Sequence, residues 1–168
     1  MFIGLWHRQK THPLQSTRRN FRVLPNDLDI NIHLNNGRYL SFMDLARLDY
    51  MAKVGFLRPT IRNRWVPVVG CSQLLHLKPL NPFQNFEIET RLIFWDEKWF
   101  VVQQEFWVGT KCHAVGRIKG MLQKGKKAVP PAEVLASAGH FGIQSPALTE
   151  DIRQWMKSSL AERAGFKA

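Results

Sequence analysis

Long apolar runs are missing from this chain. No stretch reaches the ~18 apolar residues that a membrane-spanning helix needs. Cysteine is scarce: Cys71 and Cys112 are the two present, without metal-ligand spacing. Two thiols in a chain of this length point to a reducing compartment rather than a disulfide scaffold, so a cytoplasmic location is expected. Acidic residues are few, 13 Asp and Glu against 24 Lys and Arg, a formal net charge of +11. That excess attracts polyanions without choosing among nucleic acid, anionic lipid and a phosphorylated ligand. There is no internal repeat and no low-complexity segment. There is also no helix-turn-helix, zinc ligand set or aromatic RNA platform, so a nucleic-acid role would rest on charge alone, and no specific nucleic acid is expected as a partner.

What remains is a chain of 168 residues, 45% hydrophobic, enough for one domain with a real core. The start, Met1 to Trp6, is apolar, and His7, Arg8 and Lys10 follow it. A secretory signal has the reverse order. Residues 1–19 therefore read as a basic arm, the place to which any membrane contact would fall. Residues 20–128 form the main domain and 129–168 a helical extension.

A short strand is expected at 20–24, ended by Pro25, which lacks an amide donor. A polar connection follows, and Asn35 or Asn36 caps a helix at 37–54 that Gly55 terminates. Tyr39, Met43, Ala46, Tyr50 and Val54 lie on one stripe of that helix, while Leu45, Leu48 and Ala52 extend the apolar surface to another face. A helix so widely apolar is expected to be wrapped. Residues 58–65 read as a basic loop. Strands are expected at 66–77, 86–95, 99–108 and 111–122, rich in Val, Ile, Phe and Trp. Asp96-Glu97-Lys98 and Gly109-Thr110 form the turns between them. In the second strand Ile88, Thr90, Leu92 and Phe94 alternate with Glu89, Arg91, Ile93 and Trp95. Pro130-Pro131 opens one late helix and Thr149-Glu150-Asp151 another, with Ile152, Trp155, Met156 and Leu160 on one face. The class is α+β: a curved antiparallel β-sheet wrapped around a long central α-helix, plus C-terminal helices.

The chemistry concentrates in Asp27-Leu28-Asp29-Ile30-Asn31-Ile32-His33-Leu34-Asn35-Asn36-Gly37-Arg38-Tyr39. A carboxylate just ahead of a helix is a nucleophile or base, and the free amides of the first helical turn can polarise a carbonyl. Plainer readings accompany each residue. Asp27 and Asp29 suit turns and caps. His33 suits a hydrogen-bonded structural role, Asn35 and Asn36 suit caps, and Tyr39 suits the core. Arg38 and Arg47 read as solvated face residues.

The stretch resembles the signature of hotdog-fold thioesterases of the 4-hydroxybenzoyl-CoA thioesterase type. That signature has D-x-D, a His, Asn-Asn, and a Tyr ten residues after the second Asp. The chain also looks like a subgroup carrying F-R-V-L-P-N-D-L-D, H-L-N-N-x-R-Y and W-D-E-K-W, and the resemblance covers about residues 20–123. It implies a hotdog fold and hydrolysis of an acyl-CoA or acyl-carrier thioester. Asp29 is then the nucleophile or general base, the backbone amide of Asn36 polarises the carbonyl, and His33, Asn35 and Tyr39 shape the loop or contact substrate. A cationic rim from Arg58, Arg62, Arg64, Arg117, Lys119 and Lys124 suits the phosphates of coenzyme A, although a solubilising surface explains the same charges. The resemblance implies a homodimer or higher homo-oligomer, and no cofactor or metal. The chain departs from the pattern at Ile32, where many relatives have a Gly that permits positive φ or close substrate approach.

Two rivals stand beside this reading. Hotdog hydratases or dehydratases use D-x-N-P-x-H; here Asp29-Ile30-Asn31-Ile32-His33 lacks the Pro and brings its His one residue early. The other rival is a non-catalytic module that binds acyl-CoA or nucleic acid. Steep salt dependence would mark nucleic-acid binding.

Overall fold

A computed structural model describes residues 11–165, with side chains through Ser159. The apolar start of the arm and the side chain of Leu160 lie outside the described residues. Strand β1 (Thr17–Arg22) is followed by a 3-10 turn at Pro25–Asp27 and helix α1 (Asn36–Lys53). Helix α2 (Leu57–Arg62) leads into β2 (Val66–His76), β3 (Asn85–Trp95), β4 (Phe100–Val108) and β5 (Lys111–Lys124). Strand β6 (Lys127–Val129), α3 (Pro131–Ser137) and α4 (Glu150–Gly165) complete the chain.

The sheet is antiparallel with strand order β1-β3-β4-β5-β2, and β6 extends it beside the end of β5. Its inner face carries Ile88, Phe106, Ala114 and Ile118, which pack against Tyr39, Phe42, Met43 and Ala46 of α1. A second cluster, with Tyr50, Val54, Phe56, Trp65 and Leu122, closes the other end. All five residues of the predicted helix stripe are buried. Close packing is sharpest at Gly116, where an added Cβ would lie 2.2 Å from the end of Met43. The outer face of β5 lies under α4: Arg117 donates to Asp151 at 2.6 Å and Lys119 to Ser159 at 3.0 Å.

Four expectations are corrected. β1 begins at Thr17, inside the supposed arm, because Arg18 bonds Glu87 and Glu89 of β3. Residues 57–62 are helical rather than loop: Pro59 falls where no amide bond is required, the Thr60 hydroxyl donates to the Phe56 carbonyl, and buried Phe56 and Trp65 pin both ends. A register shift between Leu92 and Phe94 reverses the alternation of β3, so Trp95 points inward, as Leu92 does, and packs in the second core cluster. Arg47 is not solvated; its side chain is 16% exposed and turned toward the sheet.

Apolar side chains remain exposed on two elements: Leu40, Leu45 and Leu48 of α1 and Val66, Val69 and Leu75 of the edge strand β2. No described helix is long and apolar enough to cross a membrane.

Candidate active site

The connection from β1 to α1 is built around two aspartates with different surroundings. Asp27 is buried. Its carboxylate accepts from the Leu24 amide at 2.9 Å and from Arg38 Nε at 2.7 Å, so Arg38 is held in a pair rather than simply solvated. The Asp27 carbonyl accepts from the Asn35 amide at 2.8 Å, which fixes where the helix starts. The Asn35 side chain then caps the helix by accepting from the Gly37 amide at 2.8 Å.

Between these anchors, residues 28–34 fold into a small hairpin. Leu28 bridges Leu34, and the Asp29 amide donates to the His33 carbonyl at 2.9 Å. Asp29 Oδ1 accepts from the amides of Asn31 at 2.9 Å and His33 at 3.2 Å. Its Oδ2 accepts nothing among the described residues. The carboxylate is therefore half-buried and oriented by backbone, with one oxygen left for a reactant. The hairpin closes with Ile32 at φ 59°. A positive φ at that point of a three-residue hairpin loop is usual for Gly and strained for a β-branched residue.

Tyr39 belongs to both core and site. It is buried, its ring meets Phe106 and lies edge-on to His76 with centroids 4.7 Å apart. Burial raises its pKa, a bond from the Leu80 backbone opposes the rise, and the negative charge of Asp29 adds to it. Tyr39 meets His76 and the Leu34 amide donates to the Leu80 carbonyl, so the hairpin that carries Asp29 sits toward the His76 end of β2. Of the first-turn amides of α1, Gly37 and Arg38 donate to Asn35, while Asn36 has no acceptor among the described residues. The His33 ring makes no hydrogen bond among them either.

The cationic residues divide into three groups. Arg62 and Lys124 meet, with Lys127, Trp65 and Glu133, around a polar cavity of about 380 Å³ at the Val66 end of β2. Arg58 and Arg64 lie on and just after α2, near that end. Arg117 and Lys119 are elsewhere, engaged by α4 on the outer face, with Lys119 also 5.1 Å from the Trp99 ring. The eleven residues of β2 separate the two ends by roughly 33 Å at the usual strand rise. Within one chain, Asp29 and the Arg62–Lys124 cavity are far apart.

Sequence reasoning missed an apolar cavity of about 450 Å³ between α1 and the inner face of the sheet, lined by Met51, Phe56, Val69, Phe100 and Ile118 and bordered by Asp44 and Arg47. Cavities arise from residues distant in sequence, so no local pattern announces them. It also missed Gln104, fully buried in a strand otherwise read as ordinary.

The comparisons with known proteins agree on one family. A family model described as Thioesterase-like superfamily matches residues 23–156. The chain is 28% identical to the probable thioesterase YBR096W of Saccharomyces cerevisiae over 146 residues, covering 84% of this chain and 61% of that protein. It is 33% identical to protein THEM6 of Xenopus laevis over 137 residues, 80% of this chain and 64% of that one. The chain thus spans a little over six-tenths of the length of these two curated relatives. Among solved structures it is similar to a 4-hydroxybenzoyl-CoA thioesterase complexed with 4-hydroxybenzoyl-CoA: TM-score 0.65, 14% identity, covering 73% of this chain and 98% of that one. Its curled antiparallel sheet and helix match the hotdog arrangement.

Proposed function

The chain belongs to the thioesterase-like superfamily, and from that premise we propose that it hydrolyses an acyl-CoA thioester with Asp29 as the catalytic carboxylate. The observation that carries the proposal is the state of Asp29: Oδ1 is clamped by two backbone amides while Oδ2, and the Asn36 amide of the helix just after it, have no partner among the described residues. Oδ2 attacks the thioester carbonyl or takes a proton from water, and the Asn36 amide, aided by the helix dipole, stabilises the oxyanion. Water completes the cleavage, giving a carboxylic acid and a thiol. His33, Asn35 and Tyr39 fix the loop against which the thioester lies.

The apolar cavity between α1 and the sheet is suited to the acyl group. The coenzyme A in the 4-hydroxybenzoyl-CoA complex of the structural neighbour supports a coenzyme A thioester here, and Arg62, Lys124 and Lys127 offer cations to its phosphates. Those cations lie too far from Asp29 of the same chain, and the apolar cavity, walled by Pro67, Val68 and Val69, lies toward the same Val66 end, so Asp29 acts on an acyl group held by the other copy. Two copies paired antiparallel along β2 would remove that separation, because each Val66 end then meets the other copy's His76 end. The bare apolar edge of β2 favours such a homodimer.

The test is release of free thiol from a panel of acyl-CoA thioesters of varied length and aromaticity, incubated with the wild-type protein. The proposal expects saturable release on at least one member of the panel. No release from any member would overturn the hydrolase reading and leave a binding module.

A further inference from the structure

We infer that Arg47 reads an oxygen on the acyl group, so that the substrate carries a hydrogen-bond-accepting substituent rather than a plain hydrocarbon chain. This rests on the thioesterase reading above.

Among the described residues lining the apolar cavity Arg47 is the one cation, and buried side chains fix its place. Arg47 Nη1 donates to Gln104 Oε1 at 2.8 Å, and Nη2 is paired with Asp44. Gln104 is fully buried, and its own amide group donates to the Met43 carbonyl at 2.9 Å and to the Thr90 hydroxyl at 3.1 Å. Thr90 is buried as well. The two donated bonds fix which way the Gln104 amide faces, and its oxygen is thereby aimed at the guanidinium. Burial lowers the Arg47 pKa to about 10, which still leaves it cationic at neutral pH.

Stability does not explain the arrangement. Asp44 is 64% exposed, and an i,i+3 pair of that kind contributes little, whereas removing a guanidinium from water is costly. A guanidinium has five N–H donors and no acceptor. The N–H groups beyond those to Gln104 and Asp44 have no acceptor among the described residues. Beside them the wall is Leu48, Met51, Phe100, Val102 and Ile118. A pure alkyl chain would dry the cation and return nothing. A hydroxyl, oxo or carboxyl oxygen would accept from it, and a carboxylate would do so with charge assistance.

The experiment compares octanoyl-CoA, 8-hydroxyoctanoyl-CoA and the mono-CoA thioester of octanedioic acid. Turnover is measured with the wild type, and binding by calorimetry with Asp29→Asn. At least one oxygen-bearing chain should exceed octanoyl-CoA by about tenfold in kcat/KM and in affinity, as a hydrogen bond to a charged donor predicts. Which of the two leads tells a neutral oxygen from a carboxylate. Arg47→Met should remove the preference, bringing kcat/KM on the oxygen-bearing chains down to that on octanoyl-CoA, and Arg47→Lys should keep part of it. Thermal midpoints check that each variant folds. Equal use of all three chains by the wild type, or an equal loss on all three in Arg47→Met, would overturn the inference while leaving the hydrolase reading intact. If none of the three binds or turns over, but other acyl-CoA thioesters are hydrolysed, this inference alone falls. If no thioester is hydrolysed, the underlying reading falls with it.

Discussion

Asp27 and Asp29 are two residues apart and of one type, yet their surroundings give them different work. Asp27 spends both oxygens on Leu24 and Arg38, while among the described residues Asp29 keeps one oxygen open. Motif spacing pointed to the second, but nothing local in the sequence says that the first is buried. The same limit hid Arg47, which sits at the margin of the helix stripe and reads as solvent-facing until Gln104 is known to oppose it. Ile32 shows the reverse: the departure from glycine was visible in the sequence, and the structure supplies its meaning as φ 59°. Ile32 is 64% exposed, so little packing offsets that strain. Ile32→Gly should therefore raise stability by about 1 kcal/mol, since the left-handed region costs an L-residue roughly 1–2 kcal/mol. Denaturant melts check this; a lower midpoint would show that the isoleucine is held by contacts that outweigh the strain.

At the scale of elements, α1 was legible to within a residue because its signals are local: the Asn35 cap and Gly55 at φ 84°. The α2 helix was not, because its arginines and Pro59 look like loop and its anchors, Phe56 and Trp65, act through tertiary burial. The β3 bulge was equally hidden, since alternation continues by composition on both sides of it. The β1–β3 pairing depends on Glu89, which accepts from Arg18 at 2.7 Å and from Arg91 at 3.0 Å. Burial raises the Glu89 pKa, but hydrogen bonds from Ser16, Arg91 and Arg18 outweigh it, and the net shift is downward from 4.5. A carboxylate with a depressed folded pKa adds stability above its unfolded value and loses it as pH falls through the folded one. Glu89→Gln should thus be less stable than wild type at pH 7, by about 1 kcal/mol for partly exposed partners. The gap should close as pH drops below 4.5. Thermal midpoints of the two proteins across pH 3–7 test this; a gap that persists at the acid end would mean that Glu89 acts by shape rather than charge.

For the whole molecule, the wrapped-helix architecture followed from the order of elements and from one wide apolar helix. The surface did not. Leu45 and Leu48, read as helix positions needing cover, remain exposed, as does the β2 edge. Their partner is a second molecule in our account, and a single sequence carries no record of which edge pairs. Val66→Lys with Leu75→Lys places charge on that edge and should give a monomer by sedimentation at micromolar concentration, with turnover lost because Asp29 and the Arg62–Lys124 cavity no longer meet. A monomeric wild type would remove the dimer from the account. The charge distribution follows the same logic: Arg117 and Lys119 are committed to α4, whereas Arg62, Lys124 and Lys127 line the polar cavity at the Val66 end.

The most direct test of the central claim is the turnover of Asp29→Asn on the best thioester of the panel, beside Asp27→Asn as its control. Asn keeps the shape of Asp29 and can still accept from the Asn31 and His33 amides, so the variant should melt close to wild type. Its turnover should fall by at least about a hundredfold, the lower range for loss of a general base. Asp27→Asn should show the opposite pattern, a lower melting point from the weakened Arg38 pair with turnover largely retained in the folded fraction. Near-normal turnover in a folded Asp29→Asn protein would contradict the account.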